Sequence, residues 1–118
     1  MPEIIRFSND LSYLNTPLAI PLGVIGRYLD ASRFGKLNVL YNNAGGSTTA
    51  DGKVTDAQLD EFWRAIKLDL YGTFLGCRFA VPEMIRAGGG SIINISSTAA
   101  LVAHPGVCYA SSKWGLRG

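Results

Sequence analysis

Apolar residues follow two different rhythms along the chain. Between Thr55 and Ile85 they recur at three- and four-residue spacing, at Leu59, Phe62, Ile66, Leu70, Phe74, Cys77, Val81 and Met84/Ile85. That period predicts one long helix over roughly residues 56–86. Thr55-Asp56-Ala57-Gln58 has the form of a capping box at its start. A second stripe, Trp63, Tyr71 and Leu75, makes the helix apolar on more than one side, so it needs cover on two faces. Gly72 and Gly76 are small steps that allow close packing, and Pro82 predicts a kink in the last turns. On either side of the helix stand short, mostly apolar runs that do not alternate, Leu37–Tyr41 and Ser91–Ile95. Such runs predict strands buried on both faces, as in parallel sheets. Strand, long helix and strand make a βαβ unit, parallel and normally right-handed. Ala87-Gly-Gly-Gly90 ends the helix, and after a loop over 100–106 a further helix begins near Val107. Upstream the pattern is weaker. Ile4–Phe7 fits a short strand, 8–10 and 15–17 fit turns, and Pro21–Phe34 allows a helix ending near Gly35.

Composition adds limits to this α/β picture. A hydrophobic fraction of 47% against 17% charged residues describes a folded chain, and 118 residues supply one domain's worth of material. Eleven basic and nine acidic residues nearly cancel and are scattered, which argues against nucleic acid as a partner. No apolar run is long enough to span a membrane, and no basic-then-apolar leader opens the sequence. A cytoplasmic protein is the default expectation. Cys77 and Cys108 belong to no Cys-x-x-Cys pair and read as buried free thiols. No metal-ligating cluster is predicted, and His104, ahead of Pro105, is assigned no role.

Candidate chemistry gathers where the strands end. Ligands of open parallel sheets bind outside the carboxyl ends of the strands. Here those ends read Asn42-Asn43-Ala44-Gly45 and Ser96-Ser97, and Tyr109 and Lys113 open the helix that follows. A tyrosine titrates near 10 in peptides, so it needs help to exchange protons at neutral pH. A cation four residues on, one helical turn away, favours the phenolate. Positioned proton transfer of this kind is worth roughly 10²–10⁴-fold in rate. It suits carbonyl–alcohol interconversion with a hydride supplied by a cofactor. Taken singly, each cluster also has a plain structural explanation. Asn42 and Asn43 form turns, the two serines cap or turn the chain, and Lys113 can be a solvated lysine.

Four stretches in order make the pattern more specific. They are Asn42-Asn43-Ala44-Gly45, Leu68-Asp-Leu-Tyr-Gly-Thr-Phe-Leu75, Gly90-Ser-Ile-Ile-Asn-Ile-Ser-Ser97 and Tyr109-Ala-Ser-Ser-Lys113. Together they resemble the short-chain dehydrogenase/reductase family of NAD(P)-dependent oxidoreductases, strongly over residues 33–118 and weakly over 19–32. The resemblance implies a partial Rossmann-like parallel sheet flanked by helices, with NAD or NADP as cofactor and a small alcohol or carbonyl compound as substrate. It implies Tyr109 as acid/base, with Lys113 lowering its pKa and binding the nicotinamide ribose. It gives Ser97 the task of orienting the substrate carbonyl. The segment Asn42 to Gly45 lines the adenosine-ribose side of the cofactor and stabilises the sheet.

The chain also departs from that family. Asp69 stands where an asparagine often extends the proton relay at a helix irregularity, and its charge alters the field near Lys113. Counting thirteen residues back from Tyr109 gives Ser96, whereas aligning the strand gives Ser97; Ser97 is preferred, with a loop one residue shorter. The glycine-rich first βαβ unit that holds the pyrophosphate is not found in residues 1–36, nor are the strands beyond the catalytic helix. The chain is therefore expected to be a partial NAD(P)-binding domain over 1–118. The edge of the Leu37–Tyr41 strand is expected to lie open. The family's dimer contact implies homo-oligomers through helix 56–86 and the helix near 107. The alternative to an enzyme is a fragment without catalysis, or an association module built on the long apolar helix.

Overall fold

The computed structural model describes residues 4–6, by backbone alone, and 35–118. The helix anticipated over Pro21–Phe34 lies outside the described residues. Within them the elements run β1 (Ile4–Arg6), β2 (Val39–Asn42), α1 (Leu59–Ala65), a π-helical segment (Ile66–Tyr71), α2 (Gly72–Arg86), β3 (Ser91–Asn94), a 3-10 turn (Thr98–Ala100) and α3 (Val107–Arg117). They fall into two compact units. The first holds the residues up to Asn43 together with Phe74–Asn94, and the second holds Ala44–Thr73 together with Ile95–Gly118.

The first unit is an open parallel sheet in the order β1-β2-β3 with α2 packed on it. Val39 pairs with Ser91 and Asn42 with Asn94, so the strand–helix–strand reading gives the parallel neighbours it predicted. Leu37, Leu40, Leu75, Ala80 and Met84 form the core, with Cys77 and Phe79 against them. Burying a side chain such as Leu40 contributes about 1.5–3 kcal/mol. Asn42 is buried, and its amide donates to Asn94 Oδ1 at 2.8 Å, pinning β2 to β3 at the ends of both strands. Gly76 faces that amide so closely that a Cβ there would lie 2.5 Å from Asn42 Oδ1. Helix α2 ends in a Schellman motif. Gly89 N–H donates to Met84 O and Gly88 N–H to Ile85 O, with Gly88 at φ +89°.

Three expectations need correction here. The edge of β2 is not open, because Ile4–Arg6 pairs along it in parallel, Ile4 with Val39. β3 is exposed at every position rather than buried, with Ile92 37% and Ile93 44% accessible. It is the outer strand of the sheet formed by the described residues, so nothing in that sheet covers its far side. The apolar stripe of the long helix is not its buried face either. Of the stripe, Leu59, Phe74, Val81 and Ile85 are exposed, Phe62, Ile66, Leu70 and Cys77 are half-buried and Met84 is buried, whereas Ala65, Leu68, Leu75 and Ala80 are buried outside it. A π turn takes more residues than an α turn. The segment Ile66–Tyr71 therefore resets the phase that the 3.6-residue period assumed.

The second unit contains α1, the π segment, the 3-10 turn and α3. The helix begins at Leu59, with Gln58 as an extended cap that makes no side-chain bond. Thr55 does not cap it. Its hydroxyl donates to Asp56, it lies within a turn closed by Ala57 N–H to Lys53 O, and the Gln58 amide donates to Ala50 O instead. The helix runs on through Pro82 as far as Arg86. Helix α3 starts at Val107, as the sequence predicts.

Candidate active site

Lys113 organises the second unit. Its side chain is almost fully buried, and its ammonium donates one hydrogen bond, to Ile95 O at 3.1 Å. Asp69 Oδ2 stands 3.9 Å away, and the Tyr109 ring centroid lies 5.6 Å from Nζ. An ammonium carries three donors, so two remain without a partner among the described residues. Gly45 makes this approach possible, since a Cβ on it would sit 2.6 Å from Nζ and 3.0 Å from Asp69 Oδ1.

Asp69 is fully buried in the π segment. Its Oδ2 accepts from Ser112 Oγ at 2.8 Å, and its Oδ1 accepts from Gly46 N–H at 3.2 Å. Burial pushes the Asp69 carboxyl up, against the bond from Ser112 and the charge of Lys113. Burial also pushes the Lys113 ammonium down, with Asp69 opposing it. Each charge is tolerable because of the other. The helix irregularity expected at Asp69 is present, and it points a buried carboxylate at the lysine.

Tyr109 is half-buried, and its phenol makes no hydrogen bond among the described residues. Its ring lies 5.9 Å from that of His104, whose Nδ1 accepts from Gly106 N–H. The serines separate clearly. Ser96 Oγ donates to Lys113 O at 3.2 Å, so its proton is committed to α3. Ser97 Oγ accepts from Ala99 N–H as the cap of the 3-10 turn, and its own proton has no acceptor among the described residues.

The structure thus gathers Lys113, Asp69, Tyr109, Ser96 and Gly45 with residues the sequence did not single out. Ser112 is one. Arg64 is another; it donates to Gly46 O and pairs with the buried Glu61 at 2.7 Å, fixing the turn whose N–H binds Asp69. Glu61 and Arg64 stand three apart on α1, a spacing that marks a pair but not its target. Asn42 belongs to the sheet of the first unit, where its side chain is spent on Asn94 and Cys77. Asn43 is exposed and makes no side-chain hydrogen bond among the described residues. Cys77 and Cys108 are free thiols.

The profile of the short chain dehydrogenases matches residues 29–118. The chain belongs to that family. A trans-4-hydroxycyclohexanecarboxylate dehydrogenase of Sinomonas cyclohexanicum is 55% identical over 87 residues, covering 73% of this chain and 32% of that protein. A 2-(R)-hydroxypropyl-CoM dehydrogenase of Xanthobacter autotrophicus is 42% identical over 84 residues, 69% of this chain and 33% of its own length. Among solved structures, ElxO with NADP bound superposes with a TM-score of 0.71 at 32% identity, covering 81% of this chain and 38% of that one. This short chain dehydrogenase sequence spans about a third of the length of the curated relatives it matches. Among its described residues no helix is long and apolar enough to cross a membrane.

Proposed function

We propose that this chain carries the catalytic segment of an NAD(P)-dependent oxidoreductase that interconverts an alcohol and a ketone or aldehyde. The observation that carries the reading is a buried ammonium, Lys113, with two donors that have no hydrogen-bond acceptor among the described residues, beside a phenol, Tyr109, with no hydrogen bond among them. The spare donors of Lys113 suit the hydroxyls of a ribose, and Gly45 keeps side-chain atoms out of their way. Asn42, Asn43, Ala44 and Gly45 take the cofactor-lining role their motif implies. ElxO, the structural relative solved with NADP, supports the nucleotide class.

The nicotinamide, when bound, takes or gives the hydride. Tyr109 removes the proton from the substrate hydroxyl in oxidation and returns it in reduction. The charge of Lys113 favours the phenolate that does this. Ser97, with its Oγ already accepting from Ala99, turns its proton to the substrate oxygen and orients it. Asp69, held by Ser112, faces Lys113 and fixes the ammonium beside Tyr109.

The test is fluorescence titration with NADH and NADPH, then turnover of secondary alcohols. The first to try is trans-4-hydroxycyclohexanecarboxylate, because the 55% identical relative is named for it. Tyr109→Phe should lower turnover by roughly 10²-fold or more and leave nucleotide binding in place. Equal turnover in the variant sinks the assignment. A second reading, homo-association through the long helix and α3, is supported by exposed Trp63, Phe74 and Ile85 on the helix and Trp114 on α3.

A further inference from the structure

Helix α3 carries Tyr109 in its first turn, and that turn has no cap of its own. Gly106 precedes the helix and has no side chain to offer. The first intrahelical bond is Ala110 N–H to Gly106 O, so the amides of Val107, Cys108 and Tyr109 need other partners. All three find them more than fifty residues upstream. Val107 N–H donates to Gly52 O at 3.0 Å. Cys108 N–H donates to Asp51 Oδ1 and Tyr109 N–H to Asp51 Oδ2, each at 3.0 Å. Asp51 is itself held by Gly52 N–H and by the hydroxyl of Ser47. Gly106 makes room for it, since a Cβ there would stand 2.6 Å from Asp51 Oδ2.

We propose that Asp51 is a positioning residue for Tyr109. Its carboxylate caps the catalytic helix from a distant loop and so fixes where the phenol stands. The proposal rests on reading Tyr109 as the acid/base. A carboxylate bridging two successive amides fixes direction as well as position, because both oxygens are engaged. It also places negative charge at the positive end of α3. Burial pushes the Asp51 carboxyl up, but the amides of Tyr109, Cys108 and Gly52 outweigh it and hold the group below its usual range. The cap is therefore ionised wherever the chain is folded near neutral pH.

The experiment compares the chain with Asp51→Ala, with Asp51→Asn, which keeps one acceptor oxygen, and with Gly106→Ala, which crowds the carboxylate from the other side. Amide exchange and the Tyr109 ring resonances are followed by NMR, and turnover is measured alongside. Asp51→Ala should speed exchange at Cys108 and Tyr109 by roughly tenfold and move the Tyr109 ring signals. It should lower kcat about ten- to a hundredfold with KM little changed, and Asp51→Asn should fall between. Gly106→Ala should reproduce the exchange and ring effects. Unchanged exchange at both amides, or an unmoved Tyr109 ring, overturns the proposal, as does faster exchange with kcat intact. If the parent chain turns over no alcohol with either nucleotide, the oxidoreductase reading fails, and the exchange and ring signals still decide the role of Asp51.

Discussion

Asp69 and Lys113 carry opposite charges in a place that favours neither. Burial raises the carboxyl of the first and lowers the ammonium of the second. For Asp69 the consequence for stability has a definite sign. A folded pKa raised above the ordinary 3.8 makes its contribution fully present below that value, and it is lost as pH rises through the folded pKa. Asp69→Asn removes that loss and keeps an oxygen for Ser112. Urea midpoints should therefore favour the variant increasingly as pH rises from the acid side of the carboxylate range to neutrality. A constant difference across that range would mean that Asp69 titrates normally. Gly45 gives a second prediction. A methyl group there meets Lys113 Nζ at 2.6 Å, and Nζ is held by Ile95 O, so something must shift. Gly45→Ala should cost about 1–3 kcal/mol in a denaturant melt and weaken nucleotide binding if Lys113 holds the ribose.

Elements are where periodicity misleads. The stripe from Leu59 to Ile85 identifies a long helix correctly but not its buried side, because the π segment sits in the middle of it. The same segment buries Asp69 rather than leaving it on a polar face. At its other end the helix obeys a simpler rule. Gly88 adopts φ +89° with open space around its Cα, so a side chain there meets no clash and only a conformational penalty. Gly88→Ala should therefore cost about 1–2 kcal/mol, read as a lower thermal midpoint with an unchanged fold by circular dichroism. An unchanged midpoint would mean that the Schellman turn rearranges freely.

On the scale of the whole chain, the described residues fall into two compact units. Among the described residues the first unit has a core of five buried apolar side chains, and Tyr109, Lys113, Asp69, Ser96 and Ser97 all belong to the second. Exposed apolar residues remain. Trp63 is 57%, Phe74 55% and Ile85 71% accessible. Self-association through the long helix is the second proposed reading, and these residues are where it is tested. Sedimentation velocity over a range of concentrations should detect association, and Trp63→Lys with Ile85→Lys should reduce it. A monomer at every concentration would remove this surface from consideration.

The sequence by itself determined the order of elements, the parallel pairing of the two main strands and the identity of the chemical groups. Those features are local. Short, mostly apolar runs mark strands, Gly-Gly-Gly ends a helix, and Tyr109 and Lys113 are set one turn apart by helical geometry alone. The capping box at Thr55 failed because the Gln58 amide it should bind donates to Ala50 O and the Thr55 hydroxyl donates to Asp56. The burial of β3 failed because a strand's cover depends on neighbours, which its own residues do not name. The different hydrogen bonds of Ser96 and Ser97 are assigned only by the fold. What the tertiary structure decided was contact across distance: Asp51 at the amides of Cys108 and Tyr109, Arg64 at Gly46, and Asp69 at Ser112 and Lys113. Each joins groups far apart in sequence, where no period or motif carries information. Each is fixed because a buried polar group must find a partner or cost the chain its stability.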